Sequence, residues 1–210
     1  DGTLTQSETS HVDAFVDGMA DLGIEVELTN PANYPHVTDS AISKHHFEKV
    51  TGKKPSHIDM AMIEQRVMHH YQGKPVADQV EGAVDFLEEI FDRKLPYCIA
   101  TGSFMSLAIE KLEKAKLPYD ISLLATAAEG DSREEILSSA MEMAGKEFNF
   151  SQPIIISFGD GIWDLKTARN LDLNFVGIGH KIDYLKSQGA KNCFRDFKDI
   201  TADSVVELFL

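Results

Sequence analysis

A short apolar run that ends in two acidic residues constrains the fold of this chain most. Residues 153–158 read Pro-Ile-Ile-Ile-Ser-Phe, and Gly-Asp-Gly-Ile-Trp-Asp follows at 159–164. A run of this length after a proline predicts a strand that is buried on both faces of a parallel sheet and ended by the glycines. Open α/β sheets bind their ligands beyond the carboxyl ends of the strands. Asp160 and Asp164 are therefore predicted to project into such a crevice.

Two carboxylates at one strand end favour a metal site. Because Asp160 and Asp164 repel each other when they are close, one of them must take up a proton or a cation must bind between them. Oxygen ligands favour a hard cation such as Mg²⁺. The alternative is that the two side chains only cap the helix that follows the turn.

The charge and cysteine content argue against several classes of protein. A chain of 210 residues that is 43% hydrophobic can form a full core, and we expect one domain with a smaller insert. Its net charge of -14 opposes binding to nucleic acid or to an anionic membrane. No apolar stretch approaches the roughly 20 residues of a membrane span. Cys98 and Cys193 are too few for a disulfide framework, so a reducing cytoplasm is the expected location.

A second candidate site follows the strand predicted at residues 95–100. Thr101-Gly-Ser103 comes directly before a helix whose apolar face includes Leu107, Ala108 and Leu112. A hydroxyl group and free backbone N–H groups at a helix start form an anion site that suits a phosphate. Alternatively, Ser103 is only the N-cap of that helix.

The order of three motifs resembles the haloacid dehalogenase (HAD) superfamily. Asp1-Gly-Thr-Leu4 stands at the front, Thr101-Gly-Ser103 in the middle, and Gly159-Asp-x-x-x-Asp164 late in the chain. The first motif of this family is Asp-x-Asp-Gly-Thr, so Asp1 matches its second aspartate. The resemblance implies a nucleophilic aspartate two positions before residue 1. We expect it to exist in the full protein, because loss of a central strand would remove hydrogen bonds and core contacts.

The resemblance also implies roles for the motif residues. Asp1 would be the catalytic acid and base, and Thr101, the Gly102 amide and Arg133 would bind the phosphoryl oxygens. Mg²⁺ would be bound by the missing aspartate, the backbone carbonyl of Asp1 and Asp160, while Asp164 would reach the ion through water or orient a neighbouring ligand. The third family motif is a lysine or arginine, often within Lys-Pro-x-Pro-Asp, and this chain departs from it with Ser132-Arg133-Glu-Glu. Arg133 is the preferred residue for this role, and Lys146 is the second choice.

A helical insert is predicted between the first two motifs. Apolar residues recur at helical spacing over about residues 8–75, with helix starts near Thr38 or Asp39 and at Ser56. Its position matches the C1 cap of HAD phosphatases, with residues 1–7 and 76–210 as the α/β core. Thr38-Asp39 resembles the phosphoglycolate-phosphatase-like branch. His36 and Lys44 are candidates for substrate contact from the cap.

The predicted fold is a doubly wound parallel sheet with helices on both faces and an inserted helical cap. Further elements are predicted from periodicity: a helix over 80–91, strands over 121–125 and 173–178, and a final helix over 205–209. The resemblance implies a Mg²⁺-dependent phosphatase that hydrolyses a small-molecule phosphate ester through an aspartyl-phosphate. A HAD phosphomutase and a catalytically silent HAD-like binding protein remain alternatives. The acidic pair Asp160 and Asp164 argues against a dehalogenase, which needs no Mg²⁺.

Overall fold

Helices and short strands alternate along most of the chain. The structure, a computed structural model, describes residues 1–28, 34–75, 78–149 and 153–210. The helices are α1 (Glu8–Ala20), α2 (Asp39–Thr51), α3 (His57–Gln72), α4 (Ala83–Asp92), α5 (Met105–Lys114), α6 (Arg133–Phe148), α7 (Ile162–Asn170), α8 (Ile182–Ser187) and α9 (Ala202–Glu207). The strands are β1 (Thr5–Gln6), β2 (Asp78–Gln79), β3 (Ile99–Ala100), β4 (Leu124–Ala125), β5 (Ile156–Gly159), β6 (Asn174–Ile178) and β7 (Asn192–Phe194). None of the described helices is long and apolar enough to cross a membrane.

The strands of the core pair in parallel. β3 pairs with β4, with Ile99 opposite Leu124. β5, β6 and β7 form a second parallel group in that order, with Phe158 opposite Val176. β1 and β2 form an antiparallel pair beside them. The predicted α/β class with a parallel sheet is confirmed.

An apolar cavity separates the two parallel groups. In the part of the chain that the structure describes, β3 pairs only with β4, and β5 pairs only with β6. Residues of β3 and β5 line the same cavity of about 730 Å³, together with Leu87, Leu124 and Val205. Asp1 also lines this cavity. Residues of two strands and Asp1 therefore line one cavity.

The main core lies between the sheet and the helices α4, α5 and α9. Phe86, Leu112, Val176 and Val205 are buried there in one hydrophobic cluster. α4 begins at Ala83 and not at Val80 as predicted, because Asp78 and Gln79 pair with β1 before the helix starts.

A second hydrophobic cluster joins α1, α2 and α3. Phe15, Ile42 and Val67 are buried in it, together with Phe104 and Leu107 from α5. The predicted helices of the insert are confirmed: Thr38 accepts a hydrogen bond from the backbone N–H of Ala41 at the start of α2, and Ser56 forms a capping box at the start of α3. The division into a cap over 8–75 and a core stays a prediction. Residues 29–33 within the predicted insert and 76–77 at its boundary lie outside the described residues.

Several predicted strands are shorter than the apolar pattern suggested. Only Ile99 and Ala100 of the predicted strand over 95–100 pair with a neighbour. Residues 121–123 form a 3₁₀ turn, because the Asp120 carboxylate accepts hydrogen bonds from the backbone N–H and the hydroxyl of Ser122. The last helix runs over 202–207 rather than 205–209, with Thr201 at its N-cap.

Candidate active site

Four loops bring the motif residues to one cavity. Asp1 precedes β1, Thr101 and Gly102 follow β3, Arg133 begins α6, and Asp160 and Asp164 follow β5; all of them line the cavity. The segments that contain Thr101, Arg133 and Asp160 follow the parallel strands β3, β4 and β5, and open α/β sheets bind ligands at the carboxyl ends of such strands. The structure therefore brings every motif residue predicted for the site together.

Lys146, the second choice for the third motif, lies elsewhere. Its side chain is 81% exposed near the end of α6, and its ammonium is 4.0 Å from the Glu142 carboxylate. Arg133 lies at the other end of the same helix and lines the cavity. Of the two candidates, only Arg133 is in reach of the other motif residues.

Asp160 is a buried carboxylate beside the Asp1–Gly2 turn. Gly2 has a φ of 73°, and a Cβ built on it would lie 2.5 Å from Asp160 Oδ2, so only a glycine allows this approach. Burial and the nearby Asp164 raise the pKa of Asp160. Lys181 opposes this rise in pKa, because its ammonium donates a hydrogen bond to Asp160 Oδ2 at 3.0 Å. The same ammonium donates to Glu8 at 2.9 Å.

Asp164 contacts both the turn and the predicted phosphate-binding arginine. Its Oδ2 accepts a hydrogen bond from the backbone N–H of Gly161 at 3.0 Å, and its Oδ1 accepts one from Arg133 Nη1 at 2.9 Å. The predicted alternative, that both acids only cap α7, thus explains the contact of one oxygen of Asp164. It does not explain the position of Asp160. The guanidinium of Arg133 and the ammonium of Lys181 each lie 5.7 Å from the ring centre of Trp163.

The donor atoms of the described residues fit a hard cation. Asp160, Asp164 and the Asp1–Gly2 backbone offer oxygen atoms only, which suit Mg²⁺. Within the described residues, no group of three or more His, Cys, Asp and Glu side chains converges as metal ligands.

The side chain of Asp1 is held by residues of two helices and a loop. Its Oδ1 accepts a short hydrogen bond from the Ser7 hydroxyl. Its Oδ2 contacts Lys111 Nζ at 2.7 Å, His11 Nδ1 at 3.1 Å and the Ser103 hydroxyl at 3.3 Å. Ser103 is therefore not the N-cap of α5, and Phe104 occupies that position.

Sequence reasoning missed Lys111, which lies in the buried face of α5. Leu107, Ala108 and Leu112 belong to the predicted apolar stripe, and Lys111 falls inside it at helical spacing. Burial lowers the pKa of Lys111, although the Asp39 carboxylate opposes the shift. A lysine that interrupts an apolar stripe is the sequence signal that could have identified it.

His11 links Asp1 to the start of the cap helix α2. Its Nε2 lies 3.0 Å from Asp39 Oδ1, while its Nδ1 faces Asp1. Burial lowers the pKa of His11. Burial also pushes the pKa of Asp39 upward, but His11, Lys111 and the backbone N–H of Phe104 together bring it below its ordinary value.

The start of α2 is anchored on the phosphate-binding loop predicted after β3. The Asp39 backbone N–H donates to the Gly102 carbonyl at 2.8 Å, and Asp39 Oδ2 accepts from the Phe104 N–H at 2.9 Å. Thr38 Oγ1 donates to the Asp131 carbonyl at 2.7 Å. Lys44, a cap candidate for substrate contact, is paired with the Asp131 carboxylate at 2.6 Å.

Solved structures of similar fold come from several bacteria. A hydrolase from Pseudomonas syringae has a TM-score of 0.72 and 23% identity, covering 99% of this chain and 95% of that one. A predicted phosphatase from Clostridium acetobutylicum has a TM-score of 0.64 and 18% identity, with coverage of 99% and 95%. CbbY from Rhodobacter sphaeroides in complex with phosphate has a TM-score of 0.64 and 16% identity, with coverage of 95% and 92%. These likenesses show the shared fold.

The sequence itself identifies the family. No curated protein matches the chain by sequence. A family model described as haloacid dehalogenase-like hydrolase matches residues 1–172, which include all three motifs. This match confirms the family and the hydrolase class predicted from the motifs: the chain belongs to the haloacid dehalogenase-like hydrolases.

Proposed function

We propose that this protein is a Mg²⁺-dependent phosphatase that hydrolyses a small-molecule phosphate monoester through an aspartyl-phosphate intermediate. The observation that carries this proposal is the meeting of Asp1, the loop of Thr101 and Gly102, Arg133 and the pair Asp160 and Asp164 at one cavity. Acids, a hydroxyl loop and an arginine are the groups that phosphoryl transfer requires, since its catalysis depends on positioning and charge.

The nucleophile is proposed to lie two positions before Asp1, on a strand that fills the space between β3 and β5. This placement is supported by residues of β3 and β5, which line the cavity together with Asp1. The nucleophilic carboxylate attacks phosphorus, the ester P–O bond breaks, and Asp1 gives its proton to the leaving oxygen. Asp1 then takes a proton from water, whose oxygen attacks phosphorus and releases inorganic phosphate and the free aspartate.

The remaining residues bind the phosphoryl group and the cation. Thr101, the Gly102 amide and Arg133 would contact the phosphoryl oxygens, and the fork of an arginine suits two of them at once. Asp160, Asp164 and the Asp1 carbonyl would bind Mg²⁺. When bound, this ion would neutralise charge that develops on the transferred group. The cap helices would exclude bulk water from the site.

The substrate is proposed to be a small-molecule phosphate ester, with neither a nucleic acid nor a membrane as partner. The solved structure of CbbY with phosphate supports a phosphate-binding fold of this kind. The net charge of -14 opposes anionic macromolecules, and the two free thiols are compatible with a reducing cytoplasm. Within the family, the phosphoglycolate-phosphatase-like branch is the preferred assignment, because Thr38 and Asp39 lie at the start of α2.

The test is hydrolysis of a panel of phosphate monoesters by the full-length protein, with and without Mg²⁺. We expect metal-dependent turnover that falls at least about 100-fold in Asp160→Asn. Asp85→Asn, which changes an exposed acid on α4, is the matched control and should keep wild-type activity. Near-normal turnover in Asp160→Asn would refute the metal assignment. No turnover by the folded wild-type protein would favour a phosphomutase that needs its own second substrate, or a silent binding protein.

A further inference from the structure

A lysine in the buried face of α5 reaches the carboxylate of Asp1. The side chain of Lys111 is 4% exposed, between the buried residues Leu107 and Leu112. Helical side chains lean toward the N-terminus of their helix, so its ammonium returns to Ser103, just before α5 begins. A buried ammonium is costly unless it is fully paired. Its position therefore requires partners that offset this cost.

The three N–H donors of Lys111 meet three polar neighbours. Nζ lies 2.7 Å from Asp1 Oδ2, 2.9 Å from the Ser103 hydroxyl and 3.0 Å from His11 Nδ1. Among the described residues, Asp1 is the only carboxylate within salt-bridge distance of this ammonium. The pairing is thus specific to Asp1.

Lys111 makes the dominant contact to one oxygen of Asp1. The other contacts of Oδ2, to His11 and Ser103, measure 3.1 and 3.3 Å. A charge-assisted hydrogen bond of 2.7 Å is about twice as strong as a neutral one. The direction of the Asp1 carboxylate therefore depends more on Lys111 than on its neighbours at the same oxygen.

We propose that Lys111 is a positioning residue for Asp1, one that fixes the direction of its carboxylate for both proton transfers. This inference rests on the proposed phosphatase function. Without the ammonium the carboxylate rotates, so the leaving oxygen loses its acid and the attacking water loses its base. Attack on phosphorus itself does not require Asp1 and persists.

Substrates with different leaving groups test this role in the full-length protein. p-Nitrophenolate departs without a proton, whereas the alkoxide of a simple alkyl phosphate needs an acid. In Lys111→Met we expect kcat/KM to fall at least about 100-fold for the alkyl phosphate and less than about 10-fold for p-nitrophenyl phosphate. Lys114→Met is the matched control. Lys114 lies on α5 like Lys111, and their ammonium groups lie 5.5 and 5.7 Å from the ring centre of Tyr71, but Lys114 pairs with Glu110.

The second step gives an independent readout. If Asp1 is misplaced, p-nitrophenyl phosphate still phosphorylates the enzyme, but water attacks the aspartyl-phosphate slowly. Lys111→Met should then show a burst of p-nitrophenolate and a kcat at least about 10-fold below wild type, and Lys114→Met should show neither. Equal losses of kcat/KM for both substrates, or no loss, would overturn the positioning role.

Two further results separate the possible failures. A wild-type protein that hydrolyses neither substrate would contradict the proposed function, not the role of Lys111 alone. If the Met variant does not fold, Lys111→Gln is tested in the same way, because its shorter and uncharged side chain keeps a polar group in the pocket but cannot form the ammonium–carboxylate hydrogen bond to Asp1. Wild-type leaving-group dependence in a folded Lys111→Gln variant would also overturn the proposal.

Discussion

Each acidic side chain of the candidate site has its own cation. Lys111 pairs with Asp1, Arg133 with Asp164, and Lys181 with Asp160. These pairs offset the negative charge of the three carboxylates within a chain whose net charge is -14. An anionic substrate therefore meets less repulsion at the site than the net charge suggests, since charges farther away than about 8 to 10 Å are screened at physiological salt.

Gly2 is the residue on which the approach to Asp160 depends. Gly2→Ala places a Cβ against the Asp160 carboxylate and adds strain at a positive φ, so we expect Mg²⁺ affinity to fall at least about 10-fold. Calorimetric titration of the full-length protein with Mg²⁺ measures it. Gly23→Ala is the control, because Gly23 has a φ of 72° with nothing within 4 Å of a built Cβ. Equal affinities in both variants would contradict the role of Gly2 in the metal site.

At the scale of elements, α2 and α3 are joined to the rest of the chain through helix starts. The first residues of α2 bond to the loops before α5 and α6, and Glu64 of α3 accepts hydrogen bonds from the backbone N–H and hydroxyl of Ser106 in α5. Side chains of α2 and α3 thus satisfy N–H groups that the first turn of α5 leaves unpaired. The start of α2 also bonds to the loop that contains Thr101.

Asp39 should contribute most to this junction. Asp39→Ala leaves the buried N–H of Phe104 and the ring of His11 without their partner, so the free energy of unfolding should fall by about 1–3 kcal/mol. Urea denaturation measures the change. Asp131→Ala removes only the half-exposed pair with Lys44, for which a loss of about 0–1 kcal/mol is expected. A larger loss in Asp131→Ala than in Asp39→Ala would contradict this ranking.

At the scale of the whole molecule, the parallel strands form two groups around an apolar space. Within the described residues, β3 and β5 each have a strand neighbour on one side only, and folded proteins avoid strand edges without partners. A strand that enters between β3 and β5 would pair with both and would bring its carboxyl end to Asp1. The candidate site and the main core would then share one central element.

This arrangement predicts a difference in stability. Full-length protein that carries the proposed strand should have a larger free energy of unfolding than residues 1–210 alone, by about 5 kcal/mol if three large apolar side chains are buried in the cavity. Urea denaturation of both proteins at the same pH and salt measures the difference. Equal stabilities would show that no upstream strand fills the space.

Signals that lie within one stretch of sequence predicted the structure well. The capping serine and threonine residues marked the starts of α2 and α3, and the glycines after β5 marked its end. Strand lengths were predicted less well, because an apolar run does not reveal where neighbouring strands stop pairing. In the run over 121–125 the reason is local instead, because the Asp120 side chain caps a 3₁₀ turn over residues 121–123.

The sequence by itself determined the family and the motif residues, because each motif is a short local pattern at the end of a strand. Only the tertiary structure decided that Lys111, His11 and Lys181 face the carboxylates, since each of these residues lies on a different element from its partner. It also decided between Arg133 and Lys146 as residues in reach of the site, because the two ends of one helix lie far apart. Contacts between distant elements depend on how the elements pack, and this packing cannot be inferred from any single stretch of the chain.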